Sequence, residues 1–294
     1  MSNTPRSVTR VIDTVRVLEG GGFPVRRPFP TATLDHVDPF LLLDHFGPIE
    51  WGPNQAIGAP AHPHRGFETV SYILAGAMMH SDSAGNQGKL GPGDVQWMTA
   101  GAGVIHSELP DPEFKRRGGV MHGFQIWVNL PASDKMMAPR YQEIGKAEIP
   151  VARSEDGKVE VKVIAGEALG VHAKIATRTP ILYQHWTLEP GASIVAAVPA
   201  GYRGLVYVFA GALELGGRRV REGQLARLSD TGDTIEFSTQ TATGEASERA
   251  ELLLLAGVPL DEPVARHGPF VMNTREQLIE AFADYQAGRL TTRV

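Results

Sequence analysis

Four side chains able to bind a transition metal occur as two pairs, each with one residue between its members. His62 and His64 stand in Ala61-His-Pro-His-Arg-Gly-Phe-Glu68, and His106 and Glu108 close Thr99-Ala-Gly-Ala-Gly-Val-Ile-His-Ser-Glu108. Successive side chains of an extended strand point to opposite faces, so each pair would present both members to one side. Pro63 supports this, because its ring fixes its own φ and biases His62 toward extended backbone. Two such strands lining a small barrel would bring three imidazoles and a carboxylate to one point, each about 2.0–2.2 Å from a first-row metal by analogy with zinc. A lone histidine on an apolar strand is more often a packed or surface residue. Two such pairs, with Gly91-Pro-Gly93 and Gly101-Ala-Gly103 punctuating the chain around them, are a more specific signal.

The elements that must position these pairs read as strands. Residues 7–18 are rich in β-branched side chains, Phe67–Gly76 is a strong strand followed by a glycine turn, and Leu90–Thr99 restarts a strand. Gly123–Leu130 alternates, with Phe124, Ile126, Val128 and Leu130 on one face and Gln125, Trp127 and Asn129 on the other. Many short strands with Gly and Pro turns indicate a sandwich or barrel. The pattern then repeats. Tyr72-Ile-Leu-Ala-Gly-Ala77 is echoed by Tyr207-Val-Phe-Ala-Gly-Ala212, and Gly91-Pro-Gly-Asp-Val95 by Arg221-Glu-Gly-Gln-Leu225, at a spacing of 130 to 135 residues. The second copy sets Ala197 and Pro199 opposite His62 and His64, and no His-x-Glu follows Arg227, so it has lost the ligand pattern. Near the C-terminus, Asn273 caps an expected amphipathic helix with Leu278, Ile279, Phe282 and Tyr285 on its apolar side, stopped by Gly288.

Composition narrows the function classes. A chain of 294 residues, 42% hydrophobic and 21% charged, can bury two sizeable cores. Its net charge of −5, with no basic run beyond Lys115-Arg-Arg117 (expected in a solvated loop), argues against direct contact with nucleic acid or an anionic membrane. Cysteine is absent, which removes disulfides, thiolate ligands, iron–sulfur clusters and a cysteine nucleophile. No apolar stretch is long enough for a bilayer and the first six residues form no signal core, so a cytoplasmic location is expected, or a nuclear one in a eukaryote. Gly101-Ala-Gly103 lacks the third glycine of a dinucleotide loop, and there is no Walker sequence or Gly-x-Ser-x-Gly elbow.

Taken together, His62-Pro-His-Arg-Gly-Phe-Glu-Thr-Val-Ser-Tyr72, Pro92-Gly-Asp-Val-Gln-Trp-Met-Thr-Ala-Gly101, His106-Ser-Glu108, Gln125-Ile-Trp-Val-Asn-Leu-Pro131 and Gly268-Pro-Phe-Val-Met-Asn273 resemble the pirins, members of the cupin superfamily, over essentially the whole chain. The resemblance implies an all-β bicupin: two antiparallel, jelly-roll-type β-barrels packed face to face, with a short C-terminal helix. Residues 1–137 would form the metal-binding barrel, and residues 138–294 a barrel without ligands that ends in the helix. It places the ligands on His62, His64, His106 and Glu108, with Fe(II) the expected metal and Cu, Ni, Co, Mn or Zn compatible. A generic cupin would instead use Glu68; Gly66 invites a bend that spoils that register, which leaves Glu68 behind the ligands.

The activity implied is that of a quercetin 2,3-dioxygenase, opening a flavonol ring with O2 and releasing carbon monoxide. Glu108 would then take the proton of the flavonol 3-hydroxyl. Arg65, Phe67, Trp97, Met98 and Gln125 are expected at the substrate pocket, from their nearness to the ligands in sequence and from the resemblance. The alternative implied is an iron-dependent regulatory protein without turnover, which modulates a metabolic enzyme or transcription factor. A monomer is expected, with a flavonol and O2, or a protein, as partner.

Overall fold

Short β-rich runs separated by glycine and proline form strands throughout the structure, a computed structural model in which residues 4–240 and 248–292 are described. These residues fall into two compact units, one drawn from residues 15–36, 40–147 and 260–292 and the other from 4–14, 37–39, 148–240 and 248–259. In the first, a seven-stranded antiparallel sheet runs in the order Arg140–Ile144, Val95–Thr99, Phe67–Ala75, Gly119–Asn129, Phe40–Trp51, Phe23–Phe29, Val15–Glu19. A four-stranded sheet, Ala59–His64, Val104–Pro110, Met78–Asp82, Gln87–Leu90, accompanies it.

The second unit repeats this plan. Its seven strands run Val8–Asp13, Gln224–Leu228, Arg203–Ala210, Ala250–Gly257, Ile181–Leu188, Val159–Ala165, Val151–Arg153, and its four run Ser193–Ala197, Thr234–Ser238, Ala212–Leu215, Arg218–Arg221. The sequence echo falls on matching turns from one sheet to the other: Gly76 at φ +87° and Gly211 at φ +68° lead Phe67–Ala75 into Met78–Asp82 and Arg203–Ala210 into Ala212–Leu215. Positive φ at both turns is the conformation that selects glycine.

The expected closed barrels are open two-sheet arrangements. Closure would require edge strands of the two sheets in a unit to hydrogen-bond with each other, and no described ladder joins them. The division of the chain also differs from a break at residue 137. The strand Val8–Asp13 pairs with Gln224–Leu228, so the chain's start belongs with its later half. The C-terminal helix, conversely, belongs with the histidine pairs. Such exchanged ends leave no compositional mark in a linear sequence.

That helix spans Arg275–Gln286 and is capped by Thr274, not Asn273, in a capping box with Gln277. Its buried positions are Leu278, Ala281 and Asp284, while Ile279 is 60% exposed. The expected apolar side is thus rotated, because the helix docks through a buried acid. Lys115-Arg-Arg117 ends a short helix, Pro112–Arg117, and is exposed there. Among the described residues no helix is long and apolar enough to cross a membrane.

Candidate metal centre

Antiparallel pairing of Ala59–His64 with Val104–Pro110 sets His106 directly opposite His62, and Val104 opposite His64. Along Val104–Pro110 the alternation is regular: Val104, His106, Glu108 and Pro110 are buried and the residues between them are not. One ring nitrogen from each of His62, His64 and His106 lies within 4.8 Å of the others. A trio bound at about 2.1 Å spans no more than about 4.2 Å, so at most a small ring rotation separates this cluster from coordination.

The surroundings leave these rings ready to donate lone pairs. His62 Nδ1 lies 2.7 Å from the Pro60 carbonyl and His64 Nδ1 lies 3.3 Å from that of Pro269. A carbonyl only accepts, so each Nδ1 carries the hydrogen and each Nε2 is left as a ligand atom. Both ring nitrogens of His106 are buried without a hydrogen-bond partner, an arrangement that costs free energy unless something coordinates one of them. Burial, reinforced by the neighbouring His106 and His62, holds His64 well below the usual histidine pKa. Burial followed by His62 and His80 lowers His106 to about 2. Both are therefore neutral imidazoles, the form that binds metals. The residues present fit a transition metal.

Glu108 sits slightly apart from this trio. Pairing slips between His106 and Glu108, which lies opposite Ala59. Its carboxylate reaches the seven-stranded sheet, where Oε1 accepts from Ser71 Oγ at 2.7 Å and Oε2 from Gln125 Nε2 at 2.8 Å. Glu68 is also buried, but accepts from Thr99 Oγ1 at 2.6 Å and is not among the cavity-lining residues. Between His64 and Glu68, Gly66 adopts φ +90°, where a Cβ would run into the Val271 carbonyl. Strand alternation therefore does not carry across that position.

His62, His64 and Glu108 open onto a cavity of about 590 Å³. Its walls are largely apolar, with Phe23, Val25, Leu42, Phe46, Met78 and Trp127 among them. Of the five residues expected at the pocket, Gln125 lines it and Arg65, Phe67, Trp97 and Met98 do not. Nearness in sequence misleads here: Arg65 alternates with His64, Phe67 lies beyond the bend at Gly66, and Trp97 and Met98 lie on Val95–Thr99, a strand that carries none of the four expected ligands. Phe67 packs behind His64, ring centroids 5.0 Å apart, and Met98 accepts from Tyr141 Oη at 3.0 Å. Trp97 pairs with Val70, one residue off the Ser71 row, and so lies on the opposite face of the sheet from Ser71. Trp127 and Ser71 were not anticipated. The alternation of Gln125, Trp127 and Asn129 was the signal for Trp127; Ser71 carried none. Nor did His80, whose buried ring lies 5.4 Å from that of His106.

Arg65 has a different task. Its Nη1 donates to Asp284 Oδ2 at 3.0 Å, with both side chains 1% exposed, and its Nε donates to the Ala102 carbonyl. Beside it, Lys135 Nζ donates to Asn129 Oδ1, the Gly66 carbonyl and the Val271 carbonyl. The turn after His64 is thereby tied to the C-terminal helix and its preceding strand, and Pro269 of the same segment orients His64.

Fold and site together define a cupin-class scaffold of two similar β units, the first of which, among the described residues, carries a histidine cluster able to hold a metal ion. The family model described as Pirin matches residues 22–128, and that of the Pirin C-terminal cupin domain matches residues 183–291. Pirin of Homo sapiens is 44% identical over 273 residues, covering 91% of this chain and 88% of its own. A crystal structure of quercetin 2,3-dioxygenase from Acinetobacter baumannii matches with TM-score 0.90 and 36% identity, covering 97% of this chain and 98% of that one. A bacterial pirin from Escherichia coli, solved in complex with nickel(II), shares the fold with TM-score 0.62 and 20% identity, covering 85% and 98%. This chain belongs to the pirin family.

Proposed function

We propose that this protein is a metal-dependent dioxygenase of the quercetinase type, which opens the ring of quercetin-like flavonols with O2. The observation that supports it most is the convergence of three imidazoles, beside the Glu108 carboxylate, at one end of an apolar-walled cavity of ligand size. His62, His64 and His106 would hold the ion, with Glu108 as fourth ligand. Iron(II) is the proposed metal, although copper, nickel, cobalt, manganese and zinc accept the same donors. When bound, the metal supplies Lewis acidity and a path for electrons between substrate and oxygen.

The chain's own residues supply the rest. The imidazoles are uncharged, so one carboxylate leaves a divalent site net positive and favours an ionised substrate hydroxyl. Glu108 would receive the proton of that hydroxyl, and the hydrogen bonds from Ser71 and Gln125 that hold its carboxylate support this role. Phe23, Leu42, Phe46 and Trp127 offer apolar surface for a planar ring and keep water from it. The similarity to the Acinetobacter dioxygenase supports the same reading.

Iron-loaded protein given quercetin is expected to consume O2 and bleach the flavonol absorbance, and His106→Ala, Glu108→Ala and metal-free protein are expected to do neither. Wild-type rates in those three forms, or no turnover by any form, would overturn the proposal. A second reading, a metal-dependent regulatory protein without turnover, is favoured by one observation. Glu108 accepts from two donors, which suits a fixed ligand better than a carboxylate that must move. Capture of a protein partner that depends on the metal's oxidation state, with no flavonol loss, would decide for it.

A further inference from the structure

The cavity has a second polar end. Strand register sets Asp44, Gln125 and Ser71 side by side on three adjacent strands of the seven-stranded sheet. On the next strand Arg27 grips Asp44, Nε to Oδ1 at 2.7 Å and Nη2 to Oδ2 at 2.6 Å, and its Nη2 also donates to Glu19 at 2.5 Å. All of these residues line the cavity. The row is a polar strip across an apolar floor: the Leu42 and Trp127 pair lies to one side of it, and the Val25 and Phe46 pair to the other.

Ser71 and Gln125 are occupied in holding Glu108 beside the histidines, so they mark the reacting end. Two strand spacings, about 10 Å, separate Ser71 from Asp44. Asp44 is 5% exposed, yet Arg27 takes only one acceptor position on each of its oxygens, out of about four on a carboxylate. Arg27 offsets the charge of Asp44 in part, being shared with Glu19, and the strip is flanked by apolar walls, so a hydroxyl carried on a planar apolar ring matches the remaining positions.

We propose that Asp44, clamped by Arg27, is the distal anchor of the substrate, accepting a hydrogen bond from a hydroxyl at the end of a planar phenolic ligand remote from the histidine cluster. This rests on the reading of a hydroxylated planar substrate given above. The ligand selected is one with hydroxyls at both ends, and the strip sets its direction in the cavity.

Fluorescence-quench titration of metal-loaded protein with quercetin and with 3-hydroxyflavone, which lacks every hydroxyl but the 3-hydroxyl, tests this. Wild type is expected to bind quercetin about tenfold or more tighter, and Asp44→Asn to weaken quercetin by a similar factor with 3-hydroxyflavone changed less than about twofold. Should that variant fail to fold, Arg27→Lys, which keeps the charge and loses the bidentate grip, is expected to weaken quercetin alone. Equal binding of both flavonols by wild type, or equal weakening of both in either variant, overturns the anchor and leaves the proposed reaction standing. Binding of neither flavonol by wild type overturns both.

Discussion

In the first unit the strands Ala59–His64 and Val104–Pro110 carry His62, His64, His106 and Glu108; at the same places in the second unit, Ser193–Ala197 and Thr234–Ser238 carry buried Ala196, Ile235 and Phe237. There the two sheets meet in one apolar cluster, where these residues join Val206, Val208, Ala226, Leu252 and Leu254. The first unit keeps a cavity of about 590 Å³ at its histidines. One strand plan thus supports either a filled interior or a metal pocket. Filling gains apolar burial at about 25 cal/mol per Å² and interior packing contacts, and a pocket forgoes both. The polar groups that line the cavity floor are tolerated because Ser71, Gln125, Glu108, Asp44 and Arg27 are all hydrogen-bonded to one another in pairs. Among the described residues, the second unit keeps the strand plan without the histidine cluster.

Four measurements would break or sharpen this contrast. The largest effect is expected from His106→Ala, which should lower metal affinity by more than about 100-fold, beyond the range seen when only a residue supporting a ligand is lost. Thr234→Ala, on the matching strand of the second unit, should leave bound metal unchanged by elemental analysis. Equal loss from both would mean that the second unit contributes to the site.

Core truncation comes next. Leu254→Ala, in the filled interior, should cost about 2–5 kcal/mol in denaturant unfolding, whereas Leu42→Ala, beside space that is already open, should cost about 1–2 kcal/mol. Equal costs would mean that the cavity is closed in solution.

The third test uses pH. Burial raises the Asp44 carboxyl to about 6 despite the hydrogen bonds from Arg27. The folded state therefore holds this proton more tightly than the unfolded chain, a contribution complete below about pH 4 and lost as pH rises through about 6. Asparagine cannot ionise, so the stability of Asp44→Asn relative to wild type should climb by up to about 3 kcal/mol between pH 4 and 6 and then level off. A flat difference in melting temperature across that range would show that Arg27 offsets the burial completely. The smallest effect is expected from Ser71→Ala or Gln125→Ala: each frees one oxygen of Glu108 and should weaken metal binding about tenfold by calorimetric titration.

Much of this was legible in the residues alone. The dipeptide spacing of both ligand pairs put His62, His64 and His106 together because alternation is a local property of strands, and Pro63 and the glycine turns mark where those strands run. The repeat and its missing histidines could be read directly, since a repeated strand–turn–strand leaves the same glycine turn in both copies. Nearness in sequence did not put Arg65, Phe67, Trp97 and Met98 at the cavity: only Arg65 adjoins a ligand, and the other three are positioned by sheet register and by the bend at Gly66.

What only the tertiary structure decided is everything that depends on register between distant strands or on the docking of the chain's ends. Nothing local in the sequence says that Asp44, Gln125 and Ser71 form one row, that Glu108 is held by two of them, or that Asp284, some 220 residues away, is the buried partner of Arg65. Spacing along a strand dictates which side chains share a face. Which faces meet is a matter of long-range pairing and burial, and those are settled only when the whole chain has folded.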